Sequence, residues 1–117
     1  MAKDKINKLT EDIVQFRDAR DWKQFHNPKD LALSLVLESV EFMDHFQWKN
    51  HEEMEKHIKE NKEDVSDELA DVLYWVLLIA HDLDIDIVKA LERKNKKNAD
   101  KYPVEKAKGK HTKYNKL

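Results

Sequence analysis

Two pairs of acidic residues stand inside the two most apolar stretches of the chain. Glu38 and Glu41 form the first acidic pair, and Glu68 and Asp71 form the second. Residues three apart lie on the same face of a helix, so each pair would present two carboxylates together. Buried carboxylates need a cation or hydrogen-bond donors to offset the cost of leaving water. If the two helices face each other, the four carboxylates predict a divalent metal site.

The residues around both acidic pairs are apolar. A helix turns by about 100° per residue, which places each pair on a face shared with large hydrophobic side chains. A lone acidic pair in a chain with 39% charged residues is more often part of a solvated face. Two pairs in the two most hydrophobic segments favour the metal site instead. The residues that share these faces are Leu31, Leu35 and Phe42 for the first pair and Val65, Val72, Trp75, Leu78 and Ile79 for the second.

An oxygen-only ligand set indicates which metal to expect. Carboxylates favour hard cations such as Mg²⁺, Mn²⁺ or Ca²⁺ over zinc. Mg²⁺ usually keeps several waters and binds through carboxylates together with substrate phosphates. The composition therefore fits a Mg²⁺–nucleotide complex better than a closed structural site.

The overall composition indicates one all-helical domain. The 117 residues include one Gly, two Pro and no Cys, and the periodic stretches contain few turn signals. With a formal charge of −2, the chain has no general basic field for nucleic acid. No segment has the apolar length of a signal peptide or a membrane span. We expect an all-α cytoplasmic protein, residues 1–117 forming a single domain with flexible tails at about 1–8 and 104–117.

Capping signals predict where the first two helices begin and end. Thr10 is a suitable N-cap for a first helix that ends near Arg20. Asn27 followed by Pro28 is a strong start for a second helix, which should run to about Trp48.

Weaker signals divide the second half of the chain. Residues 50–64 are highly charged and predict a solvated connection. A third helix should begin between residues 63 and 66 and carry the second acidic pair to about Leu83. Asp84 can cap a fourth helix, which the Tyr102-Pro103 sequence ends.

The predicted fourth helix has a stripe that begins apolar and turns polar. Ile87 and Leu91 start it, and Lys94, Asn98 and Tyr102 continue it. An ammonium, an amide and a phenol on one face suit the binding of an anion. The alternative, which we weigh equally, is that Lys94 only extends its charge into solvent and Asn98 lies at a fraying helix end.

Aromatic residues are numerous for so short a chain. Stacking on a nucleobase is one use for them, although aromatic residues at helical spacing more often belong to a core. We prefer the core for Trp75 and weigh both uses equally for Trp22 and His26, which lie in an irregular segment. The candidates are Trp22, Phe25, Trp48, Tyr74 and Trp75.

Two helices that are apolar almost all round exceed what 117 residues can cover. The second faces of these helices would then be buried between subunits. We therefore expect a homodimer or a tetramer formed as a dimer of dimers.

The ordered set of motifs resembles the MazG-like nucleoside triphosphate pyrophosphohydrolases, particularly the dCTP pyrophosphatase branch. The resemblance covers about residues 16–114 and rests on both acidic pairs in sequence with basic and aromatic motifs. These motifs are the run Arg20–Pro28, Glu38-x-x-Glu41, Phe46-Gln47-Trp48, Glu68–Tyr74, Lys94-x-x-x-Asn98 and Lys101-Tyr102-Pro103.

The resemblance implies a four-helix-bundle-like fold completed by homo-oligomerisation, and hydrolysis of a (deoxy)nucleoside triphosphate with Mg²⁺ (Mn²⁺ being possible). Either Tyr74 or Trp75 would approach the sugar, and His45 would lie beside the site or in solvent. The resemblance further implies that Glu38, Glu41, Glu68 and Asp71 bind the metal, that Lys94, Asn98 and Tyr102 lie at the phosphates, and that Trp22, His26 and Trp48 line the base pocket.

The reaction implied is attack of water at the α-phosphorus, giving the monophosphate and pyrophosphate. One of the four carboxylates would accept the water proton, and Lys94 would offset charge on the leaving group. A ferritin-like di-metal bundle is disfavoured, because the chain has no Glu-x-x-His motif. The alternative that stays open is a non-enzymatic helical interaction module, such as an antitoxin-like or adaptor dimer.

Overall fold

The computed structural model describes the backbone of residues 2–117 and the side chains from Asp4 onward. This part of the chain forms helices and no strand, which confirms the all-α prediction. The helices are α1 Ala2–Ala19, α2 Pro28–Asp44, α3 His51–Glu60, α4 Lys62–Asp82, α5 Ile87–Lys101 and α6 Val104–Ala107, with 3-10 turns at Lys23–Phe25 and Tyr114–Lys116.

Contacts between helices divide the chain into two compact units, one ending at Asp84 and one running from Ile85 to Leu117. In the N-terminal unit, α4 packs most extensively against α2 and also contacts α1 and α3. Its buried apolar side chains are Leu31 on α2 and Leu77, Leu78 and Ala80 on α4. The C-terminal unit consists of α5, α6 and the last turn, and no residue of α5 or α6 is fully buried. The assignment of 1–117 to one domain stays a prediction.

The second helix begins as predicted and ends early. The side-chain oxygen of Asn27 accepts a hydrogen bond of 2.9 Å from the backbone N–H of Asp30, and Pro28 occupies the first turn. The helix stops at Asp44 rather than near Trp48, because the next residues form tight turns whose N–H groups bond to the carbonyl of Met43. Trp48 itself has a φ of 68°, in the left-handed region that a helix cannot use.

Two predicted caps were wrong. Thr10 lies inside α1, where its hydroxyl donates to the carbonyl of Ile6 at 2.8 Å. The polar residues before Thr10 contain no Gly or Pro, so nothing in them interrupts the helix. The cap of α5 is Asp86, which accepts from the N–H of Lys89, whereas Asp84 has a φ of 55° and lies in the preceding turn.

The charged connection is solvated, as predicted, and most of it forms the helix α3. Asn50 and Glu53 form a reciprocal capping box at the start of α3. Most of its residues are exposed. The flexibility predicted for residues 1–8 and 104–117 stays a prediction, and Met1 lies outside the described residues. No helix in the described part of the chain has the length and hydrophobicity needed to cross a membrane.

Candidate active site

Three of the four predicted metal ligands lie together between α2 and α4. Glu38, Glu41 and Glu68 each place one carboxylate oxygen so that the three atoms are within 4.8 Å of one another. Packing of α4 against α2 brings the acidic face of each helix toward the other. The structure therefore produces the facing arrangement on which the sequence argument depended.

Two carboxylate oxygens of this cluster lack hydrogen-bond partners. The Oε2 atoms of Glu38 and Glu68 are buried and accept no hydrogen bond from any described residue. Burial, followed by the neighbouring Glu41 and Asp71 carboxylates, raises the pKa of both Glu38 and Glu68. Buried oxygens without donors are costly, and a cation would offset both the burial and the repulsion. The donor set thus fits a hard divalent cation held by Glu38, Glu41 and Glu68.

Asp71 stands at the margin of this cluster. It is exposed and is not one of the three residues whose oxygens lie within 4.8 Å of one another. Its negative charge nevertheless contributes to the raised pKa of Glu38 and of Glu68, so it is electrostatically coupled to the group. Its role as a ligand stays a prediction.

The two residues predicted for the base pocket in the irregular segment have different surroundings. The ring of His26 contacts Trp75 edge-on, with centroids 5.7 Å apart. Trp75 lies on α4 one turn after Asp71, so His26 sits beside the helix that carries the second acidic pair. Trp22 instead packs edge-on against Phe16, with centroids 5.7 Å apart, and remains exposed.

Two other residues near the first acidic pair differ in exposure. Trp48 is 92% exposed and follows the end of α2. His45 is half-buried, and its Nδ1 lies 2.8 Å from Nε2 of His57 on α3. The charge of His45 acts to lower the pKa of Glu68, although burial and the acidic neighbours outweigh it. His45 is therefore not simply exposed, and its role beside the metal site stays a prediction.

The predicted phosphate-binding residues belong to the C-terminal unit. Lys94 lines an open depression on α5 together with Leu91, Arg93 and Lys97. The carbonyl of Asn98 accepts from the N–H of Tyr102, which closes the last turn of the helix. Within this unit the positive face of α5 is exposed to solvent.

A buried ion pair between α1 and α4 was missed by the sequence argument. Arg17 on α1 has no exposed surface and donates to both carboxylate oxygens of Asp82 on α4, at 2.6 and 3.0 Å. Burial disfavours ionisation of Asp82, but hydrogen bonds from Arg17 and His81 outweigh it and hold its pKa below the ordinary value. The available signal was helical spacing: Arg17 follows Ile13 by four residues, and Asp82 continues the α4 face that carries Glu68 and Asp71.

Comparisons with known proteins show which family the chain is similar to. The model of the MazG-like family matches residues 33–117. The dCTP pyrophosphatase 1 of Rattus norvegicus is 36% identical over 106 residues, which cover 89% of this chain and 62% of that protein. The human dCTP pyrophosphatase 1 is 33% identical over 106 residues, which cover 89% of this chain and 62% of that protein. The chain thus spans about 62% of the length of these relatives.

A solved structure agrees in both sequence and fold. The crystal structure of a pyrophosphatase from Archaeoglobus fulgidus superposes with a TM-score of 0.79 and 36% identity, covering 83% of this chain and 91% of that one. The resemblance seen in the sequence motifs is therefore confirmed. The chain belongs to the MazG-like family.

Proposed function

We propose that this chain hydrolyses deoxynucleoside triphosphates, with dCTP or a related dNTP as substrate, to the monophosphate and pyrophosphate. The relatives named dCTP pyrophosphatase 1 and the pyrophosphatase of known structure support this reaction class. The observation that carries the proposal is the cluster of Glu38, Glu41 and Glu68 with two buried, unpartnered oxygens. Control or cleansing of the nucleotide pool is the role that we propose for it.

Mg²⁺ is the cofactor that we propose, with Mn²⁺ as an alternative. Glu38, Glu41 and Glu68 would hold it, with Asp71 as the fourth ligand or as a nearby negative charge. When bound, the cation supplies Lewis-acid stabilisation of phosphate oxygens and offsets the charge of the carboxylates. Without a cation, the carboxylates of the cluster keep the site negatively charged. This charge repels a triphosphate that arrives without cations.

The reaction forms a bond between a water oxygen and the α-phosphorus and breaks the bond from the α-phosphorus to the bridging oxygen. A carboxylate of the cluster accepts the proton of the attacking water. Pyrophosphate leaves with the electron pair of the broken bond, and Lys94 offsets its charge while Asn98 donates to a phosphate oxygen and Tyr102 lies nearby. No covalent enzyme intermediate is required.

The base would bind at the other end of the nucleotide. We assign Trp22, His26 and Trp48 to this end. Of these, His26 contacts Trp75 on α4, the helix that carries Glu68 and Asp71. An aromatic ring can stack on a base, and an imidazole can donate to it or accept from it.

A second copy of the chain is the partner that we propose. Leu33, Val36, Leu37 and Val40 form an apolar stripe on α2 and are each more than two-fifths exposed. A comparable groove on α4 is lined by Leu69, Leu73 and their neighbours. Contiguous apolar surface of this kind usually marks an interface, so a homodimer or tetramer would cover it. The cytoplasmic location, and the lack of a nucleic-acid or membrane partner, stay predictions.

The test is product analysis after incubation with each dNTP and Mg²⁺. We expect monophosphate and pyrophosphate from the wild type and loss of both in Glu38→Gln. Glu52→Gln is the matched control, because Glu52 is an exposed glutamate on α3. Diphosphate and orthophosphate as products would show that a different bond is cut. No turnover of any nucleotide would refute the proposed enzymatic activity.

The second candidate is a non-enzymatic helical interaction module, which the exposed apolar stripe on α2 favours. The two differ in their response to ligand. Mg²⁺ with a non-hydrolysable dNTP should raise the melting temperature of the enzyme and leave that of a passive module unchanged.

A further inference from the structure

We propose that Arg17, held by Asp82, is a positioning residue that keeps His26 in the tautomer with its proton on Nε2. His26 would then present a hydrogen-bond donor to an acceptor atom on the ring of the substrate base. The second half of this proposal rests on the proposed function, whereas the first half concerns the protein alone.

Arg17 is fixed in its position by burial and by its ion pair. Its side chain is fully buried, and both Nη atoms donate to the two oxygens of Asp82. A guanidinium and a carboxylate that share two parallel hydrogen bonds are fixed in both distance and orientation. The Arg17 carbonyl also accepts from the N–H of Trp22 at 3.2 Å, so the same residue anchors the start of the irregular segment.

Arg17 presents a hydrogen-bond donor to the ring of His26. Nη1 of Arg17 lies 3.4 Å from Nδ1 of His26. A guanidinium has only donors, so Nδ1 must offer its lone pair and the ring proton must be on Nε2. Burial, and then the positive charge of Arg17, lower the pKa of His26, while Asp82 opposes them. The imidazole is therefore neutral near pH 7, with a defined donor.

Nε2 of His26 is the ring atom that remains available to a ligand. Nε2 of His26 has no hydrogen-bond partner among residues 4–117. His26 lines a cleft of about 230 Å³ together with Lys23, Asn27, Leu31 and Asp82. The ring contacts Trp75, which follows Asp71 by one helical turn of about 5.4 Å. His26 therefore lies against the helix that also carries Glu68 and Asp71.

The direct test is the pair of ¹⁵N chemical shifts of the His26 ring in the protein without substrate. We expect the wild type to show a protonated Nε2 and an unprotonated Nδ1 at pH 7. Arg17→Met should produce a mixture of tautomers and a higher pKa of His26, because the neighbouring cation is gone and Asp82 remains. Arg20→Met is the matched control, since Arg20 is an exposed arginine one residue after the end of α1. A protonated Nδ1 in the wild type, or unchanged shifts in Arg17→Met, would overturn the proposal.

A second variant separates the loss of the Arg17 contact from a loss of the fold. Arg17→Met leaves Asp82 buried without its partner, whereas Arg17→Met combined with Asp82→Leu replaces the ion pair by apolar side chains of similar size. The double variant should fold and should also lose the single tautomer. A double variant that folds and keeps the protonated Nε2 would refute the role of Arg17.

Kinetics tests the substrate half. Loss of one hydrogen bond to the base should raise KM for dCTP by about fivefold in the double variant and leave kcat nearly unchanged. The same changes in a His26→Ala background should have no further effect on KM. An unchanged KM despite loss of the tautomer would refute base recognition by His26. Absence of hydrolysis in the wild type would refute the proposed function instead, and the NMR result would still decide the role of Arg17.

Discussion

The Oε2 atoms of Glu38 and Glu68 are the residue-scale feature that separates a binding site from a solvated acidic face. Exposed carboxylates are satisfied by water, whereas these two atoms are buried and lack a donor among the described residues. Such an arrangement lowers stability until a cation arrives. Stability and binding should therefore respond in opposite directions to the removal of one charge.

The first prediction at this scale is that Glu38→Gln raises the melting temperature of the metal-free protein and abolishes its increase with Mg²⁺. The amide removes one of the repelling charges but is a poorer ligand. In the wild type, Mg²⁺ at 100 times its Kd should add about 2.7 kcal/mol of stability. Thermal melts with EDTA and with Mg²⁺ measure both effects, and Glu52→Gln should behave as the wild type. A wild type whose melting temperature ignores divalent cations would contradict a metal site here.

The second prediction concerns pH. In the folded state the pKa of Glu38 and of Glu68 lies above the ordinary value of 4.5. Between pH 4.5 and these raised pKa values, the folded protein therefore binds more protons than the unfolded chain. The free energy of unfolding without metal should therefore fall as pH rises from about 4.5 through the raised pKa values. Asp82 has the opposite sign: its lowered pKa contributes stability above its ordinary value of 3.8, which is lost as pH falls further.

Urea denaturation in EDTA at several pH values measures this slope. Glu38→Gln combined with Glu68→Gln should flatten the fall above pH 4.5, and saturating Mg²⁺ should flatten it in the wild type. A stability that rises with pH in this window without metal would show that the two carboxylates are compensated by groups within the protein.

At the scale of elements, helical periodicity and capping predicted most of what positions the site. The Asn27-Pro28 start and the apolar faces of α2 and α4 were correct, because local chemistry determines both. Thr10 and Asp84 failed as caps because several residues near a helix start have capping side chains, and backbone geometry selects among them. Helical spacing indicates the faces that carry Arg17 and Asp82, but not that these two residues pair, because they are 65 residues apart and the packing of α1 on α4 sets the contact.

The pair between Arg17 and Asp82 allows a prediction for the packing of α1 on α4. Arg17→Met alone should lower the free energy of unfolding by about 3–5 kcal/mol, because it leaves a buried charge unpaired. Arg17→Met with Asp82→Leu should recover most of this loss, since apolar side chains of similar volume tolerate burial. Equilibrium denaturation of the two variants measures the difference. A double variant as unstable as the single one would mean that the helices need this ion pair to pack.

At the scale of the whole molecule, the sequence predicted more apolar surface than one chain can bury. The structure agrees for α2, whose inner face supplies Leu31 to the core while Val36 and Leu37 are each 56% exposed. Glu41 lies on the same helix between these two faces and is exposed. A second copy on the outer face would therefore come close to the acidic cluster, so assembly and metal binding should be linked.

The last prediction follows from that link. Leu37→Lys should shift the protein toward the monomer, because a charge on the outer face of α2 must be desolvated when two copies meet. Sedimentation over a range of protein concentrations measures the shift, and Leu9→Lys is the matched control, since Leu9 is an exposed leucine on α1. Assembly that covers α2 also excludes water beside Glu41, so the Leu37→Lys monomer should bind Mg²⁺ more weakly than the wild-type oligomer. A Leu37→Lys protein that assembles like the wild type would place the interface elsewhere.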